Sequence, residues 1–368
     1  MQIIILGCGR VGSAIAYDLS SQYSVTVVDI SNQNLSEIKS KCNVNTIEQD
    51  LLDTNSLNKL IRDYDLVISA VPGFMGFKTL QNIIEQKKNV VDISFFPEDP
   101  YELDEIAKKN QVTALVDFGV APGLSNIIFG HYDQEINIQE YKCYVGGLPK
   151  IKKLPFEYKA PFSPIDVIEE YTRPARIFKN SKIIVKPPLT DLEIISFEET
   201  EDLEAFNTDG LRSLLNTMRH VPNMVEKTLR YPGHIKKIKL LKDMGFFSTQ
   251  TLKKHNKKPI DFTASILENQ WLLDPKEEEF TIMKIIIKNQ RKNIELVMYD
   301  EYDKTTNISS MARTTGFTCT AGANIIINRL FNNYGIVAPE IVGKNINCYL
   351  YIKDYLQKRN INVKTMIK

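Results

Sequence analysis

The sequence predicts an α/β protein, with a doubly wound parallel sheet in its N-terminal part and an inserted α+β domain with a mixed sheet after it. Two observations lead to this fold class. Up to residue 120, short apolar runs alternate with helix-forming segments, which is typical of a parallel sheet covered by helices on both faces. Beyond residue 120, this alternation gives way to loops that contain proline and to strand patterns that pair as antiparallel hairpins.

The N-terminus predicts a strand, a glycine-rich turn and a helix start. Residues 3–6 form an apolar run suited to a strand buried on both faces. Gly7, Gly9 and Gly12 follow with G-x-G-x-x-G spacing. In a dinucleotide-binding turn the first glycine permits the tight turn, the second lets a diphosphate approach the backbone, and the third lets the helix lie close to the strand. The pattern predicts a Rossmann domain with a diphosphate at the N-terminus of its first helix.

The second predicted strand supports this interpretation. Residues 25–28 end in Asp29, about the distance beyond the glycines at which an acidic residue binds the adenosine ribose. A carboxylate there accepts hydrogen bonds from the ribose hydroxyls and repels a 2′-phosphate, which predicts NAD as the cofactor. Arg10 lies in the turn and is able to bind a 2′-phosphate, so NADP stays open. A turn without any ligand is the structural alternative.

Four further strands are predicted at residues 44–47, 65–71, 90–93 and 112–116. Because the carboxyl ends of parallel strands meet at one edge of a sheet, residues that follow these strands are expected to line the cofactor. Asp92 and Asp117 have turn formation or helix capping as their alternative role. The expected cofactor contacts are Gly7, Gly9, Arg10, Val11, Gly12, Asp29, Ile30, Asp50, Ala70, Val71, Pro72 and Asp92.

The composition argues against several other classes of protein. Basic and acidic residues are nearly balanced, 46 against 45, which gives no basic surface for nucleic acid. We find no apolar run long enough to span a bilayer, and a core strand is predicted from residue 3 onward, so we expect a cytoplasmic protein without a membrane partner. The spacing of the cysteines and histidines predicts neither disulfides nor a metal site, and these residues are Cys8, Cys42, Cys143, Cys319, Cys348, His131, His220, His234 and His255.

Five later motifs carry a resemblance to a known family. They are DFGVAPGLSN at 117–126, YVGGLP at 144–149, FSPIDVIEEYTRPA at 162–175, FNTDGLRSLL at 206–215 and TLRYPGH at 228–234. In this order they resemble the saccharopine dehydrogenase superfamily, and within it the lysine 6-dehydrogenase group. The resemblance implies an NAD-binding Rossmann domain at 1–120, a substrate-binding and dimerisation domain at 121–313, and a C-terminal segment at 314–368 that returns to the first domain. It also implies a homodimer.

The resemblance further implies an oxidoreductase that deaminates the ε-amine of lysine. Hydride passes to NAD, and water hydrolyses the imine to ammonia and allysine, which cyclises to piperideine-6-carboxylate. The amine must first lose its proton, which from a reference pKa of ~10.4 costs roughly 4.6 kcal/mol at pH 7. In addition, the substrate α-carboxylate needs a cationic anchor.

Candidate residues for these tasks lie in the motifs. Asp117 and His234 are expected to be catalytic, through pairing with the amine or accepting its proton, although a buried structural histidine is nearly as good an explanation of His234. Arg230 is the first choice for the carboxylate anchor, and a surface ion pair is the alternative for any arginine. The other expected substrate contacts are Arg173, Arg212, Asn207, Thr208 and Tyr144.

Two other functions stay open. A reductase that forms a secondary amine, such as saccharopine, would use the same cofactor domain. Saccharopine reductases tend to carry an acidic residue where this chain has Ala121, which favours free lysine here. A noncatalytic NAD-binding sensor is the third possibility, although such proteins often lose the polar residues of the second domain, and Arg230, Asn207 and His234 are present.

Overall fold

A computed structural model describes residues 1–160, 164–253 and 256–367, and the side chains of residues 164–166 are not described. The chain divides into two compact units. The first contains Met1–Ile136 and Ala312–Ile361, and the second contains Asn137–Met311 together with the last residues from Asn362 onward. Part of the 162–175 motif, Pro161 and His255 lie outside the described residues.

The first unit is built on a parallel sheet, in which the described residues form seven strands with the order β15-β6-β5-β4-β1-β2-β3. The chain crosses from one half of the sheet to the other after β3, so that β1 pairs with both β2 and β4. This is the strand order of a Rossmann domain with one added edge strand, and it confirms the predicted fold class. The strands are β1 Gln2–Leu6, β2 Ser24–Asp29, β3 Asn45–Glu48, β4 Leu66–Ser69, β5 Asn89–Asp92, β6 Thr113–Leu115 and β15 Gly335–Val337.

Helices cover this sheet. Leu80, Ile83 and Ile84 of the fourth helix pack with sheet residues such as Ile4 and Val67 in one apolar cluster. The helices of this unit are α1 Arg10–Leu19, α2 Asn32–Lys41, α3 Thr54–Leu60, α4 Gly73–Glu85, α5 Asp104–Lys109, α6 Leu124–Glu135, α11 Ser310–Ile327, α12 Pro339–Gly343 and α13 Ile346–Gln357. Single 3₁₀ turns occur at Ile61–Asp63 and Pro100–Leu103.

The C-terminal helices are joined to α1 through one partly buried carboxylate. Asp18 accepts hydrogen bonds from the Thr320 hydroxyl at 2.6 Å, the Tyr355 hydroxyl at 2.7 Å and the Arg359 Nε at 2.8 Å. Thr320 lies in α11, Tyr355 lies in α13, and Arg359 lies two residues after the end of α13. These three partners lie 302, 337 and 341 residues after Asp18 in the sequence. A single acidic side chain of α1 thus connects the N-terminal part of the unit to its C-terminal helices.

The second unit contains a mixed sheet, in which the described residues follow the path β10-β11-β12-β7-β13-β14-β16, with β8 and β9 attached beside β12. β12 runs parallel to β7, whereas the other neighbours on the path are antiparallel. The strands are β7 Glu140–Pro149, β8 Ala175–Lys179, β9 Lys182–Lys186, β10 Glu193–Ile195, β11 Leu203–Asn207, β12 Asn223–Arg230, β13 Glu279–Lys288, β14 Asn293–Glu301 and β16 Val363–Ile367. The helices are α7 Pro164–Thr172, α8 Leu214–Thr217, α9 His234–Asp243 and α10 Pro259–Trp271.

The structure corrects three boundaries expected from sequence. The first unit extends to Ile136 rather than 120, because α6 packs on α12 so closely that a Cβ at Gly130 would lie 2.0 Å from the Glu340 carbonyl oxygen. The C-terminal return is not complete, since β16 pairs with β14 of the second unit. The C-terminal segment of the first unit begins at Ala312, inside α11, rather than at 314.

Candidate functional site

The turn between β1 and α1 shows why glycine is needed at two of its three positions. Gly7 has a φ of 101°, and a Cβ there would lie 2.4 Å from the Ala70 carbonyl oxygen. A Cβ at Gly12 would lie 2.1 Å from the Gly7 carbonyl oxygen. At Gly9, by contrast, no heavy atom of the described chain lies within 4 Å of the position of a Cβ. The open space at Gly9 is where a diphosphate approaches the backbone in a dinucleotide-binding turn.

The N-terminus of α1 presents its backbone N–H groups to that space. Gly9 is the N-cap, and within the described chain it makes no side-chain capping bond and the first turn contains no acidic residue. Arg10 and Val11 form the first turn and are half-buried. An uncapped helix N-terminus carries a partial positive charge and unpaired donors, which together bind an anion. These features fit the diphosphate of a dinucleotide.

Asp29 lies at the carboxyl end of β2, beside the glycine-rich turn. Its Oδ2 accepts a hydrogen bond from Cys8 N at 2.6 Å, and its Oδ1 accepts one from Ser31 N at 2.8 Å. A carboxylate has about four lone-pair positions, so each oxygen retains capacity for a ribose hydroxyl. The two backbone bonds fix the carboxylate in the position expected for ribose recognition.

The remaining expected cofactor contacts surround this edge of the sheet. Ile30 is 68 % exposed, which makes an apolar surface available to an adenine ring next to Asp29. Asp50 is exposed and its Oδ1 accepts from Leu52 N at 2.9 Å, so it forms a turn after β3. Ala70, Val71 and Pro72 connect β4 to α4, and Val71 is buried whereas Pro72 is exposed.

Asp92 is the exception, because its carboxyl group is fully buried. Its Oδ1 accepts from Ser94 Oγ at 2.9 Å and its Oδ2 from Ser94 N at 3.2 Å, while Ser69 Oγ lies 3.3 Å from Ser94 Oγ. Burial raises the pKa of Asp92 to about 7, and the charge of nearby Asp117 adds to the rise against the hydrogen bonds from the two serines. No part of the Asp92 side chain is exposed, and a direct contact with the cofactor stays a prediction. Asp92 fixes, through Ser94, the end of β4 from which residues 70–72 extend.

Asp117 follows β6 at the same edge of the sheet. It is buried, and its backbone has a left-handed φ of 55°, which is uncommon for a residue other than glycine. The next residue, Phe118, donates its N–H to the Asp92 carbonyl oxygen at 3.0 Å. Asp92 and Asp117 thus form a pair of neighbouring buried carboxyl groups at the ends of β5 and β6, and the charge of Asp117 disfavours ionisation of Asp92.

Arg230, the expected substrate anchor, is a core residue of the second unit. Its side chain is 2 % exposed, and its Nη2 donates to Glu170 Oε2 at 2.7 Å. Nε donates to the Tyr171 hydroxyl at 3.1 Å and Nη1 to the Leu229 carbonyl at 2.9 Å, and the guanidinium lies 4.2 Å from the centre of the Tyr158 ring. These contacts commit the guanidinium to Glu170 and two tyrosines, which does not suit a group that has to bind a substrate carboxylate.

His234, the expected base, belongs to the same cluster. Its Nδ1 donates to the Phe156 carbonyl at 2.9 Å, and its Nε2 lies 3.0 Å from the Tyr171 hydroxyl. Because burial raises the pKa of Tyr171, that hydroxyl stays protonated and donates to Nε2. Burial, reinforced by the charge of Arg230, lowers the pKa of His234 to about 3. Both ring nitrogens are therefore bonded inside the protein, so His234 is the structural histidine that the sequence left as its alternative.

The FNTDG segment contains the last two residues of β11 and the three residues that follow the strand. Asp209 forms a bidentate pair with Arg176 at 2.8 Å, so its carboxylate does not cap a helix, and α8 begins at Leu214. The Asn207 Nδ2 donates to Asp191 Oδ2 at 2.9 Å, whereas its buried Oδ1 has no hydrogen-bond partner among the described residues. The Thr208 hydroxyl accepts from the Thr228 hydroxyl at 3.0 Å.

The other expected substrate contacts are dispersed over the second unit. Tyr144 is buried in β7, opposite Lys227 of β12, and burial together with Glu193 raises its pKa. Arg173 follows α7 and pairs with Glu169 one turn earlier. Arg212 is nearly buried and has a left-handed φ of 42°. Tyr144 packs in the same apolar cluster as Tyr158, Tyr171 and Trp271. Of the residues that contact Arg230 and His234, Glu170 and Tyr171 lie in the 162–175 motif, whereas no sequence motif pointed to Phe156, Tyr158 or Trp271.

Two absences bear on the class of site. Among the described residues, no group of three or more His, Cys, Asp or Glu side chains is placed to hold a metal ion. Within the same residues, no helix combines the length and apolar character that crossing a membrane requires. The open turn at Gly9 and the fixed carboxylate of Asp29 are, by contrast, the features typical of a dinucleotide-binding α/β protein.

Comparison with known proteins gives the family. The saccharopine dehydrogenase NADP binding domain matches residues 3–115, and the saccharopine dehydrogenase C-terminal domain matches residues 119–361. The two models together cover both units, so the chain belongs to the saccharopine dehydrogenase family.

Curated relatives match parts of the chain. It is 28 % identical over 218 residues to a saccharopine dehydrogenase (NADP⁺, L-glutamate-forming) of Pyricularia oryzae, covering 55 % of this chain and 48 % of that protein. The identity to the Saccharomyces cerevisiae enzyme of the same name is 25 % over 271 residues, which cover 66 % of this chain and 58 % of that protein. The match to the mitochondrial alpha-aminoadipic semialdehyde synthase of Rattus norvegicus is 24 % identical and covers 68 % of this chain but 29 % of that protein. The chain thus spans between about a third and just over half of these relatives' lengths.

Solved structures with the same fold cover the whole chain. Apo saccharopine dehydrogenase (L-Glu forming) from Saccharomyces cerevisiae has a TM-score of 0.80 at 18 % identity, covering 100 % of this chain and 99 % of that one. Homospermidine synthase from Legionella pneumophila in complex with NAD has a TM-score of 0.70 at 15 % identity, and the match covers 100 % of this chain and 91 % of that one. At these identities the similarity establishes the fold.

Replacing Gly9 with valine tests the dinucleotide turn. Because the chain leaves the space beside Gly9 open, the valine side chain should fit without loss of stability but should exclude a diphosphate. We expect the Kd for the dinucleotide to rise at least about tenfold, ~1.4 kcal/mol, with an unchanged urea midpoint. The control is Gly12→Ala, which should lower the urea midpoint because its Cβ would clash with the Gly7 carbonyl. Unchanged dinucleotide binding by Gly9→Val would show that the ligand does not use this turn.

Replacing Glu170 with glutamine tests the structural assignment of Arg230. Loss of one partner leaves a buried guanidinium uncompensated, so the free energy of unfolding should fall by about 2–3 kcal/mol in urea titrations. Glu169→Gln, one residue earlier, removes a more exposed pair with Arg173 and should cost about 0.5 kcal/mol or less. If Glu170→Gln kept full stability and changed KM instead, Arg230 would be a substrate ligand after all.

The pH dependence of stability tests the burial of Asp92. Its folded-state pKa of about 7 lies above the ordinary carboxyl value, so the folded protein binds this proton more tightly than the unfolded chain does. The contribution of Asp92 to stability is therefore fully present below about pH 4 and is lost as the pH rises towards 7. Relative to Asp92→Asn, the wild-type protein should lose stability between pH 4 and about pH 7, measured by urea unfolding at each pH. A constant difference between the two proteins across this range would contradict the assignment.

Proposed function

We propose that the protein is an NAD-dependent oxidoreductase that acts on a carbon–nitrogen bond of a lysine-derived amine. Within this class we propose oxidative deamination of the lysine ε-amine to allysine, with release of ammonia. The observation that carries the proposal is the Asp29 carboxylate held beside an uncapped helix N-terminus and an open Gly9. The family of the chain supplies the class of substrate.

The choice of NAD follows from charge at the ribose position. Asp29 is fixed by two backbone N–H groups, so its carboxylate cannot turn away from a 2′-phosphate without losing both bonds. Repulsion between these anions favours the dinucleotide that lacks the phosphate. Arg10 in the adjacent turn works in the opposite direction, and the matching family model is named for NADP. A nicotinamide dinucleotide bound here supplies the acceptor for a hydride.

Asp117 is our proposed proton acceptor for the substrate amine. An ammonium group cannot release hydride from its carbon until it has lost a proton, so a carboxylate that only paired with the ammonium would hinder the reaction. We therefore propose that the proton moves on from Asp117 to the neighbouring Asp92, because burial raises the pKa of Asp92 to about 7.

For the substrate α-carboxylate we propose Arg173 and Arg212 in place of Arg230. Arg173 keeps 18 % of its side chain exposed and has a partner on the same helix, which it can exchange for a substrate carboxylate at low cost. Arg212 is held with a left-handed backbone in the segment that follows β11, a conformation that is often associated with functional sites. The Asn207 Oδ1 offers a buried acceptor to a substrate N–H group.

A saccharopine dehydrogenase is the second candidate, because two of the matching relatives carry that name. Such an enzyme would use the same cofactor turn and cleave or form a secondary amine instead of releasing ammonia. Ala121, where saccharopine reductases tend to carry an acidic residue, favours the smaller substrate.

A spectrophotometric screen separates these candidates. We expect lysine with NAD to produce NADH and ammonia in equal amounts, and NADP to react less well. Asp29→Ser should raise the KM for NAD about tenfold, and the matched control Asp63→Ser, in the exposed 3₁₀ turn before β4, should leave it within about twofold. NADH formation from saccharopine but not from lysine would establish the second candidate. Dinucleotide binding without turnover of any amine would favour a sensor.

A further inference from the structure

One segment of the second unit has a charge unlike the rest of the chain. Residues 234–262 contain eight lysines and two aspartates, although the whole sequence has 46 basic and 45 acidic residues. The remainder of the chain is therefore net acidic. Its described residues form α9, the chain from Met244 to Lys253, and residues 256–262, which include the start of α10.

Five of the described lysines in this segment have no neutralising partner among the described residues. Lys237 pairs with Glu157 at 2.8 Å. Within the described part of the chain, no carboxylate lies at ion-pair distance from the five exposed lysines, which are Lys236, Lys239, Lys253, Lys257 and Lys258. Asp243 and Asp261 are exposed on the same segment but do not pair with them. Several like charges thus remain available to an external anion.

Large apolar side chains are exposed between these lysines. Leu240 is 61 % exposed, Met244 65 % and Phe262 51 %, and Phe246 and Ile266 are also exposed. They are not on the faces that the two helices turn toward the core, because α9 buries Ile235 and Ile238 and α10 buries Thr263 and Leu267. Exposed apolar groups of this size in one region mark an interaction surface.

Two hydrogen bonds hold the residues that follow α9 against the start of α10. Thr263 Oγ1 donates to the Phe246 carbonyl at 2.8 Å, and Ile260 N donates to the Ser248 carbonyl at 3.2 Å. Lys257 Nζ lies 4.9 Å from the centre of the Phe262 ring, so a cationic and an aromatic side chain are in contact at the start of α10. We name this region, the five unpaired lysines with Leu240, Met244, Phe246, Phe262 and Ile266, the lysine–apolar surface.

We propose that the lysine–apolar surface binds anionic phospholipid headgroups at the surface of a membrane. Lysines that lack internal partners are attracted by the negative potential of such a surface, and adjacent Leu, Met and Phe side chains enter the boundary between headgroups and acyl chains. The backbone of the two helices stays in the protein, so the contact is peripheral. The sequence-based expectation of no membrane partner concerned spanning segments, which this surface does not need.

Two other occupants fit the surface less well. A second copy of the chain related by a two-fold axis would place the same lysines against one another, which is repulsive. An acidic protein partner is expected to meet arginine, because arginine is enriched and lysine is depleted at protein–protein interfaces. Residues 234–262 contain lysine and no arginine. Lysine acts as a point charge toward phosphate without needing a fixed geometry, which suits a fluid surface.

Sedimentation with lipid vesicles tests the proposal. The full chain should bind vesicles made of equal parts phosphatidylcholine and phosphatidylserine and should not bind vesicles of phosphatidylcholine alone, and added salt should release it. The variant Lys257→Gln/Lys258→Gln should reduce the partition coefficient at least about tenfold. Leu240→Gln/Met244→Gln should reduce it at least about threefold with the lysines intact.

The matched control is Lys179→Gln/Lys182→Gln, which removes the same charge from the exposed β8–β9 hairpin of the same unit. It should bind as the wild type does, and all variants should keep the wild-type unfolding midpoint and dinucleotide affinity. The proposal is overturned if the protein does not bind anionic vesicles, or if the two lysine variants lose vesicle binding equally. It is also overturned if the protein binds polyglutamate but does not bind anionic vesicles. None of these results depends on which amine the protein oxidises.

Discussion

The position of the Asp29 carboxylate between two backbone N–H groups is the interaction on which the functional account depends. Cys8 N belongs to the glycine-rich turn and Ser31 N to the start of α2, so this side chain connects the first two βα units. A charged group held in this way cannot be replaced by its amide without placing a donor against an N–H group. The same bonds that order the turn therefore fix the sign of the charge at the ribose position.

The second unit shows how polar residues at motif positions come to serve the fold. Arg230 and His234 both contact Tyr171, and the hydroxyl of this residue accepts from one and donates to the other. A buried cation of this kind is tolerated because Glu170 neutralises it and the Tyr158 ring covers it. Removing either Arg230 or Glu170 would leave a buried charge without its partner and lower the free energy of unfolding. A structural role of this kind therefore accounts for polar residues at motif positions without any contact with a substrate.

Sequence reasoning succeeded where the signal is local. The apolar run and glycine spacing at the N-terminus predicted β1, the turn and α1, and the paired runs near residues 280–300 predicted the β13–β14 hairpin. Sequence reasoning failed where the residues that contact one another are far apart in the chain. Glu170 and Tyr171 lie 60 and 59 residues before Arg230, and nothing near Arg230 indicates that they neutralise and orient it. Likewise, no periodicity could show that β16 pairs with β14 rather than returning with its neighbours to the first unit.

The central claim, that a nicotinamide dinucleotide lies on the N-terminus of α1 with its adenosine ribose at Asp29, is tested most directly by crystals grown with NAD. The account predicts electron density for the diphosphate next to Gly9, within hydrogen-bond distance of the first N–H groups of α1, and both ribose hydroxyls donating to the Asp29 carboxylate. Density for NAD at another edge of the sheet, or a turn at Gly9 that closes over the helix N-terminus, would contradict it.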